Sequence, residues 1–147
     1  MDHSFRPFDP GDRAACLALF DANCPAYFAP NERADYIEFL DRAPAGYEVC
    51  ELDGSAVAAF GLIRSDGAVR LNWIMLAPAS QGRGIGSAIM QRVVAAARSS
   101  GESVIHIAAS QKSAPFFARF GAAPVTRTPD GWGPGMDRID MELGVRQ

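Results

Sequence analysis

The sequence of 147 residues has little of what marks membrane or secreted proteins. Its longest apolar run, from Ala56 to Ile63, has eight residues with a glycine among them, far fewer than the roughly 18 to 20 that cross a bilayer. The chain starts with an acid at position 2 and no apolar stretch behind it, unlike a secretory signal. We therefore expect no membrane as partner and a cytoplasmic location.

Cysteine and lysine are also scarce. Cys16, Cys24 and Cys50 are odd in number and lack a Cys-x-x-Cys spacing, which argues against a disulfide framework and against a thiolate metal site. Lys112 is the only lysine, and the formal net charge is -3 at pH 7. Without an overall basic field, neither nucleic acid nor anionic lipid is an expected partner.

What is present is the composition of one folded domain. The length is within the range of a single domain. The chain is 48% hydrophobic and 21% charged, which is close to the globular average and far from the signature of disorder. We expect residues 1–147 to form one domain.

Periodicity predicts two helices and then a three-stranded meander. Asp9 and Pro10 are typical of a helix start, so the first helix is expected over about Pro10–Asn23. Asn31 is expected to cap the second helix, which ends before Pro44. Turn signals at Asp53-Gly54 and at 65–67 separate three predicted strands, which are Tyr47–Leu52, Ser55–Arg64 and Val69–Leu76.

The second half alternates between helix and strand. A helical repeat over 85–99 follows a glycine cluster, and a buried strand is predicted over Val104–Ala108. This strand–helix–strand crossover predicts a parallel pair. A short helix over Ser113–Phe120 and two strands within Val125–Leu143, around a loop at 129–135, complete the chain.

The glycine cluster is the strongest functional signal. Gln81-Gly82-Arg83-Gly84-Ile85-Gly86 lies where a strand ends and an amphipathic helix begins. The N–H groups of a helix N-terminus lack internal partners and favour an anion such as phosphate. The spacing is neither the G-x-G-x-x-G of dinucleotide sites nor a P-loop. A purely structural tight turn is the alternative.

Residues 76–86 resemble the acetyl-CoA motif Q/R-x-x-G-x-G/A of the GCN5-related N-acetyltransferase (GNAT) superfamily. The resemblance covers nearly the whole chain. It implies a mixed α/β, three-layer α/β/α fold whose central, mostly antiparallel sheet has six or seven strands and one parallel crossover. It also implies acetyl-CoA as cofactor, with the pantetheine along Ile74, Met75 and Leu76 and the diphosphate on Gln81, Gly82, Arg83, Gly84, Ile85, Gly86 and Ser87.

The second motif of that superfamily matches less well. Aligned on Gly121, Ser110 and Ser113 replace its asparagine and alanine, and Phe117 replaces a tyrosine that protonates the departing sulfur in many relatives. The resemblance places all three near the cofactor. Because a thiol has a pKa of about 8.5, losing this acid slows the reaction without forbidding it. Water, or the hydroxyl of Ser110 or Ser113, could substitute.

The catalytic candidates follow from this chemistry. We expect direct attack of an amine on the thioester in a ternary complex, with the Leu76 N–H polarising the carbonyl. Relatives often use a glutamate on the strand before the motif, but here Asn72 could only orient a water. His106 is a candidate base or a structural histidine inside the sheet, and Glu48 and Glu51 are weaker candidates.

Aromatic residues mark the expected acceptor pocket. In the superfamily the acceptor enters between the first helices and the late hairpin, which here carry Tyr27, Phe28, Trp73 and Trp132. Rings of this kind hold an apolar body or a cation, and Asp137 would favour an ammonium. Core or loop packing is the alternative for each ring, and a plain surface acid for Asp137.

These features predict an N-acetyltransferase for a primary amine of a small molecule or a protein N-terminus. Two alternatives stay open: a catalytically silent acyl-CoA-binding module, and a nucleotide-binding domain unrelated to acetyl transfer. Exposed strand edges near the C-terminus would suit a homodimer, an expectation that rests on analogy with relatives.

Overall fold

The computed structural model describes residues 3–145, which form seven strands and four α-helices. In chain order these elements are β1 (His3–Pro7), α1 (Arg13–Ala22), α2 (Glu32–Asp41), β2 (Tyr47–Leu52), β3 (Ser55–Ser65), β4 (Ala68–Leu76), α3 (Ile85–Ser99), β5 (Val104–Ala109), α4 (Ala114–Ala118), β6 (Ala123–Gly133) and β7 (Met136–Gly144). Short 3-10 helices cover Pro10–Asp12 and Pro78–Ser80.

All seven strands form one sheet in the order β1-β2-β3-β4-β5-β7-β6. Every pair is antiparallel except β4 with β5, which α3 connects as a crossover. The two hairpin turns of the meander have left-handed residues at Asp53-Gly54 and Asp66-Gly67, as two-residue turns between twisted strands require. The predicted fold class is confirmed.

Helices cover both faces of the sheet. Buried residues of α3 and α4, such as Ile89, Val93 and Phe117, pack on one face with Phe60 and Ile105 of the strands. On the other face, α1 and α2 bury a second cluster, whose members include Cys16, Phe20, Tyr36, Tyr47 and Val49. Alternate residues of β2, β3 and β4 thus enter different clusters, which produces the three layers.

The strand β1 was not predicted from the sequence. Its burial does not alternate, and proline ends it after five residues, so it has no strand periodicity to detect. Pairing with β2 and the side chain of Arg6 hold it in place, since Arg6 bonds to Asp12 and Glu51. Asp9 caps the following 3-10 turn, as predicted.

The late hairpin is longer than predicted. We expected a loop over 129–135, but β6 continues to Gly133 and pairs with Met136 across a register shift. The strand β6 is an exposed edge of the sheet that carries Pro124 and Pro129. Prolines blunt an edge strand because they cannot donate to a neighbour. The homodimer stays a prediction, and this edge gives it no support.

Within residues 3–145, none of the helices combines the length and the apolar character that a membrane crossing would need.

Candidate active site

The site begins where β4 and β5 separate. These strands pair only over Val69–Leu71 and Ile105–Ile107, and beyond that point they diverge. On its other side, β4 has a register shift against β3, since Ala59 faces Met75 while Gly61 faces Asn72. The extra residue is accommodated at Trp73, whose φ of +48° lies in the left-handed region. The bulge turns the end of β4 away from β5 and opens a slot in the sheet.

A pair of buried tyrosines fixes this bulge. The Tyr47 hydroxyl donates to the Trp73 carbonyl at 2.7 Å, and the Tyr36 hydroxyl lies 2.8 Å from that of Tyr47. Because Tyr47 has a single hydroxyl proton, Tyr36 must be the donor in the second bond. Burial raises the pKa of both phenols, so both stay neutral donors.

Replacing Tyr47 with phenylalanine should lower the free energy of unfolding by about 1 to 3 kcal/mol, because the Trp73 carbonyl and the Tyr36 hydroxyl both lose their partner. Urea unfolding followed by tryptophan fluorescence measures this. The matched control is Tyr27→Phe, where the residue is 39% exposed and a change within about 0.5 kcal/mol is expected. Equal stability of Tyr47→Phe and wild type would contradict this role for the hydroxyl.

The slot opens into one cavity of about 740 Å³. Its walls come from the diverging ends of β4 and β5, the glycine turn before α3, the helix α4, the segment between α1 and α2, and Trp132 of the late hairpin. The cavity therefore joins the predicted cofactor motif to the predicted acceptor pocket.

The glycine turn presents bare main chain to this cavity. Gly82 and Gly84 have φ values of +82° and +80°, and a Cβ added to either would meet no atom within 4 Å. The first backbone bond of α3 runs from the Ala88 N–H to the Gly84 carbonyl. The N–H groups of 84–87 therefore have no partner inside the helix. The turn has the space and the donors that a diphosphate needs.

Leu76 places a further N–H toward the slot. Ala77 donates to the Val57 carbonyl at 2.7 Å, so residue 77 faces β3. Since backbone groups alternate in direction along a strand, the N–H and carbonyl of Leu76 face the opposite way. The carbonyl accepts a bond from the Asn23 amide at 2.9 Å. Asn23, which the sequence analysis did not single out, thus holds the end of β4 against α1.

The start of α4 forms the wall beside the cofactor motif. The Ser110 hydroxyl accepts the N–H groups of Lys112 and Ser113 at 3.1 and 3.3 Å, and the Ser113 hydroxyl accepts the Ser110 N–H at 3.0 Å. Both serines therefore shape this turn while lining the cavity. Phe117 lines it as well. A Cβ on Gly86 would lie 2.9 Å from the Phe116 ring, so this glycine permits close packing of α3 on α4.

Aromatic rings line the opposite end. Phe28 stacks on Trp73 with ring centroids 6.0 Å apart, and Tyr27 lies beside them. The Trp132 Nε1–H donates to the Ala109 carbonyl at 2.9 Å, while its own carbonyl accepts the Asn31 amide at 2.7 Å. Asn31 makes no capping bond to α2, contrary to our prediction, because its side chain binds the hairpin instead.

The structure brings most of the predicted site residues together. Around the cavity it places Tyr27, Phe28, Asn72, Trp73, Ile74, Met75, Leu76, Gln81, Gly82, Gly84, Gly86, Ser87, Ser110, Ser113, Phe117 and Trp132.

Four predicted residues lie elsewhere. His106 belongs to the part of β5 that is still paired, opposite Arg70, and its Nδ1 is 3.8 Å from Glu142. The Ile85 side chain is buried, and Arg83 lies beside it outside the cavity.

Asp137 also points away from the cavity. Its carboxylate accepts the Asp130 N–H at 2.9 Å and an Arg127 N–H at 2.6 Å. The backbone bond from Asp130, followed by the bond from Arg127, lowers the pKa of this carboxyl. Three N–H groups of the hairpin bind this carboxylate, which lies outside the cavity lining and is therefore not placed to bind a substrate ammonium there.

Glu32 is the residue that sequence reasoning missed. It is 5% exposed and is the only carboxylate among the described residues that line the cavity. Burial is the main cause that raises its pKa to about 7, and the charge of Asp35 adds to this, while a bond from the Ala29 N–H acts against it. At the first position of a helix, a glutamate is ordinarily read as a dipole partner, so the sequence contained no signal that distinguishes it.

Comparisons with known proteins agree with this geometry. A protein from Desulfovibrio desulfuricans, described as an acetyltransferase of the GNAT family, is 25% identical, with 99% of this chain and 100% of that chain covered and a TM-score of 0.78. Ard1 from Thermoplasma volcanium is 15% identical, with both chains covered completely and a TM-score of 0.83.

A third structure, yncA from Salmonella typhimurium, was solved with acetyl-CoA. It is 22% identical, with 100% of this chain and 96% of that chain covered and a TM-score of 0.69. No curated protein matches the chain. Residues 16–122 match the sequence profile of the acetyltransferase (GNAT) family. Because this match spans most of the chain, the protein belongs to the acetyltransferase (GNAT) family.

Proposed function

We propose that this protein transfers the acetyl group of acetyl-CoA to a primary amine. The observation that carries the proposal is the single cavity that joins unpaired N–H groups at the start of α3, an open slot between β4 and β5, and an aromatic pocket. A phosphorylated carrier and an amine would thus meet in one space. The proposal treats the chain as one domain, since one sheet contains all strands of the described residues.

The cavity offers the donors and the unpaired strand end that acetyl-CoA would need. The N–H groups of 84–87 would hold the diphosphate, with Gln81 and Gly82 beside them. The pantetheine would lie along Ile74–Leu76, where β4 has lost its neighbour. When bound, acetyl-CoA supplies an activated acetyl group as a thioester. The Leu76 N–H is the donor that would polarise its carbonyl.

The lining favours direct attack by the amine. No cysteine lies among the described cavity residues, and the Ser110 hydroxyl is occupied by two backbone N–H groups. An enzyme-bound acyl group needs an activated nucleophile with an adjacent base. His106 is not in the cavity, so it cannot provide that base for either serine.

A silent acyl-CoA-binding module is the second candidate. Phe117 is the observation in its favour, because a buried phenyl ring stands where many relatives have a proton donor. Both candidates predict coenzyme binding, and only turnover separates them.

The test is thiol release from acetyl-CoA over a panel of primary amines, including aromatic amines, alkylamines and short peptides with free N-termini. Release that depends on one class of amine, together with the acetylated product by mass spectrometry, supports the enzyme. Saturable acetyl-CoA binding without turnover on any amine supports the silent module. Stabilisation by ATP but not by acetyl-CoA would overturn both.

A further inference from the structure

We propose that Glu32 binds the ammonium group of the acceptor and accepts its proton, so that the acceptor is a primary amine on a compact apolar or aromatic body. This inference rests on the proposed function. It names the group that activates the nucleophile, a role that none of the residues predicted from the sequence fills.

Glu32 lines the cavity, and one of its two carboxylate oxygens has no hydrogen-bond partner among the described residues. Its Oε2 accepts the Ala29 N–H at 2.7 Å, and its own N–H donates to the Ala29 carbonyl at 2.9 Å. Oε1 makes no hydrogen bond within the described residues. Every fully buried side-chain oxygen of those residues has a partner, so Oε1 is not fully buried. Oε1 therefore keeps exposed surface, and the geometry points to the cavity that Glu32 lines as the place where a ligand would reach it.

The surroundings of Glu32 suit a cation with an apolar substituent. Tyr27, Phe28 and Trp73 line the same cavity and present aromatic surface. Aromatic faces attract an ammonium and also bury an apolar body. One carboxylate among rings matches a single positive charge, since a second ammonium group would have no anionic partner among the described lining residues.

The charges around Glu32 agree with a role in proton transfer. Asp35, on the same helix, raises its pKa, and Cys24 and Tyr27 are the titratable groups in the segment before α2. Two cations also line the cavity, Lys112 in the turn before α4 and Arg119 directly after it. A base with a pKa near 7 is matched to proton transfer at neutral pH.

The proposed reaction starts with one proton passing from the substrate ammonium to Oε1, which leaves a neutral amine. Its nitrogen forms a bond to the thioester carbon, the carbon–sulfur bond breaks, and the electron pair leaves on sulfur. The second amine proton passes to that sulfur through water, and Glu32 returns its proton to bulk solvent. The products are therefore an amide, a thiol and one released proton.

The competing explanation is structural. The two reciprocal bonds with Ala29 close the turn before α2, and burial alone could reflect that role. Glu32→Gln separates the two explanations, because the Gln carbonyl oxygen can still accept the Ala29 N–H while the side chain can no longer accept a proton.

The experiment compares Glu32→Gln with wild type on the best amine of the panel. We expect kcat/KM for the amine to fall about 100-fold or more at pH 7, with acetyl-CoA affinity and melting temperature nearly unchanged. In wild type, kcat/KM should rise with pH as the carboxyl ionises, and this rise should be missing in Glu32→Gln. Asp35→Asn should shift the rise to lower pH, because it removes a neighbouring negative charge.

Glu38→Gln is the matched control. Glu38 is an exposed acid of the same helix that pairs with Arg42, and its loss should leave the profile unchanged. An active wild type with an equally active Glu32→Gln and the same pH profile would overturn this assignment alone. A wild type that acetylates no amine would overturn the proposed function and this assignment with it.

Discussion

Replacing Gly84 with aspartate is expected to lower the affinity for acetyl-CoA by at least about 100-fold. The new carboxylate would stand at the start of α3, where it can accept the N–H groups of Gly86 and Ser87 and repel the diphosphate. Losing two hydrogen bonds to a charged group costs about 3 to 6 kcal/mol, which exceeds a factor of 100 in binding. Isothermal titration calorimetry with acetyl-CoA measures this affinity in the variant and in wild type.

The control uses a glycine with the same backbone conformation. Gly54 also has a φ of +80°, and a Cβ there would likewise meet open space, but this residue lies in the turn between β2 and β3. Gly54→Asp imposes the same left-handed strain and the same charge change, so it should cost stability and leave acetyl-CoA affinity intact. Equal losses of affinity in both variants would mean that the turn before α3 has no special part in binding.

Removing the Trp132 side chain is expected to raise the KM for the acceptor amine about 10- to 100-fold, with acetyl-CoA affinity changed less than about threefold. Trp132→Ala deletes an aromatic wall of the cavity and leaves the buried Ala109 carbonyl without its partner. Steady-state kinetics on the best amine of the panel, at saturating acetyl-CoA, give the KM.

Trp132→Phe divides this effect into two parts. It keeps a ring against the acceptor but loses the Nε1–H bond to Ala109, so a smaller rise of about 3- to 10-fold is expected. Trp73 then remains as the only tryptophan of the chain and reports on the cavity by fluorescence. A loss of acetyl-CoA affinity as large as the change in amine KM would contradict the proposal that Trp132 lies at the acceptor end of the cavity, away from the coenzyme.

The parts of the fold that could be predicted rest on local signals. The Asp53-Gly54 turn demands left-handed residues, and the repeat of Ile85, Ile89 and Val93 fixes the inner face of α3. The crossover between β4 and β5 then follows from connection rules. In contrast, β1 forms through long-range backbone bonds to β2 and through the ion pair of its own Arg6 with Glu51, which no local periodicity encodes.

The same distinction applies to the site. The open turn at Gly82 and Gly84 could be found from the sequence, since the backbone itself provides its donors. The role of an acidic side chain could not be found from the sequence, because the surroundings that the fold gives the carboxylate decide that role. Asp137 is turned into its own hairpin by Arg127, while Glu32 is carried into the cavity by the turn at Ala29.

The central claim is that the unpaired N–H groups at the start of α3 hold the coenzyme. A titration of ¹⁵N-labelled protein with acetyl-CoA, followed by backbone amide resonances, tests it most directly. We predict saturable shifts at Ile85, Gly86, Ser87 and Leu76, while the turns at Gly54 and Gly67 stay unchanged. Saturable binding that leaves the resonances of 85–87 unmoved would contradict the claim.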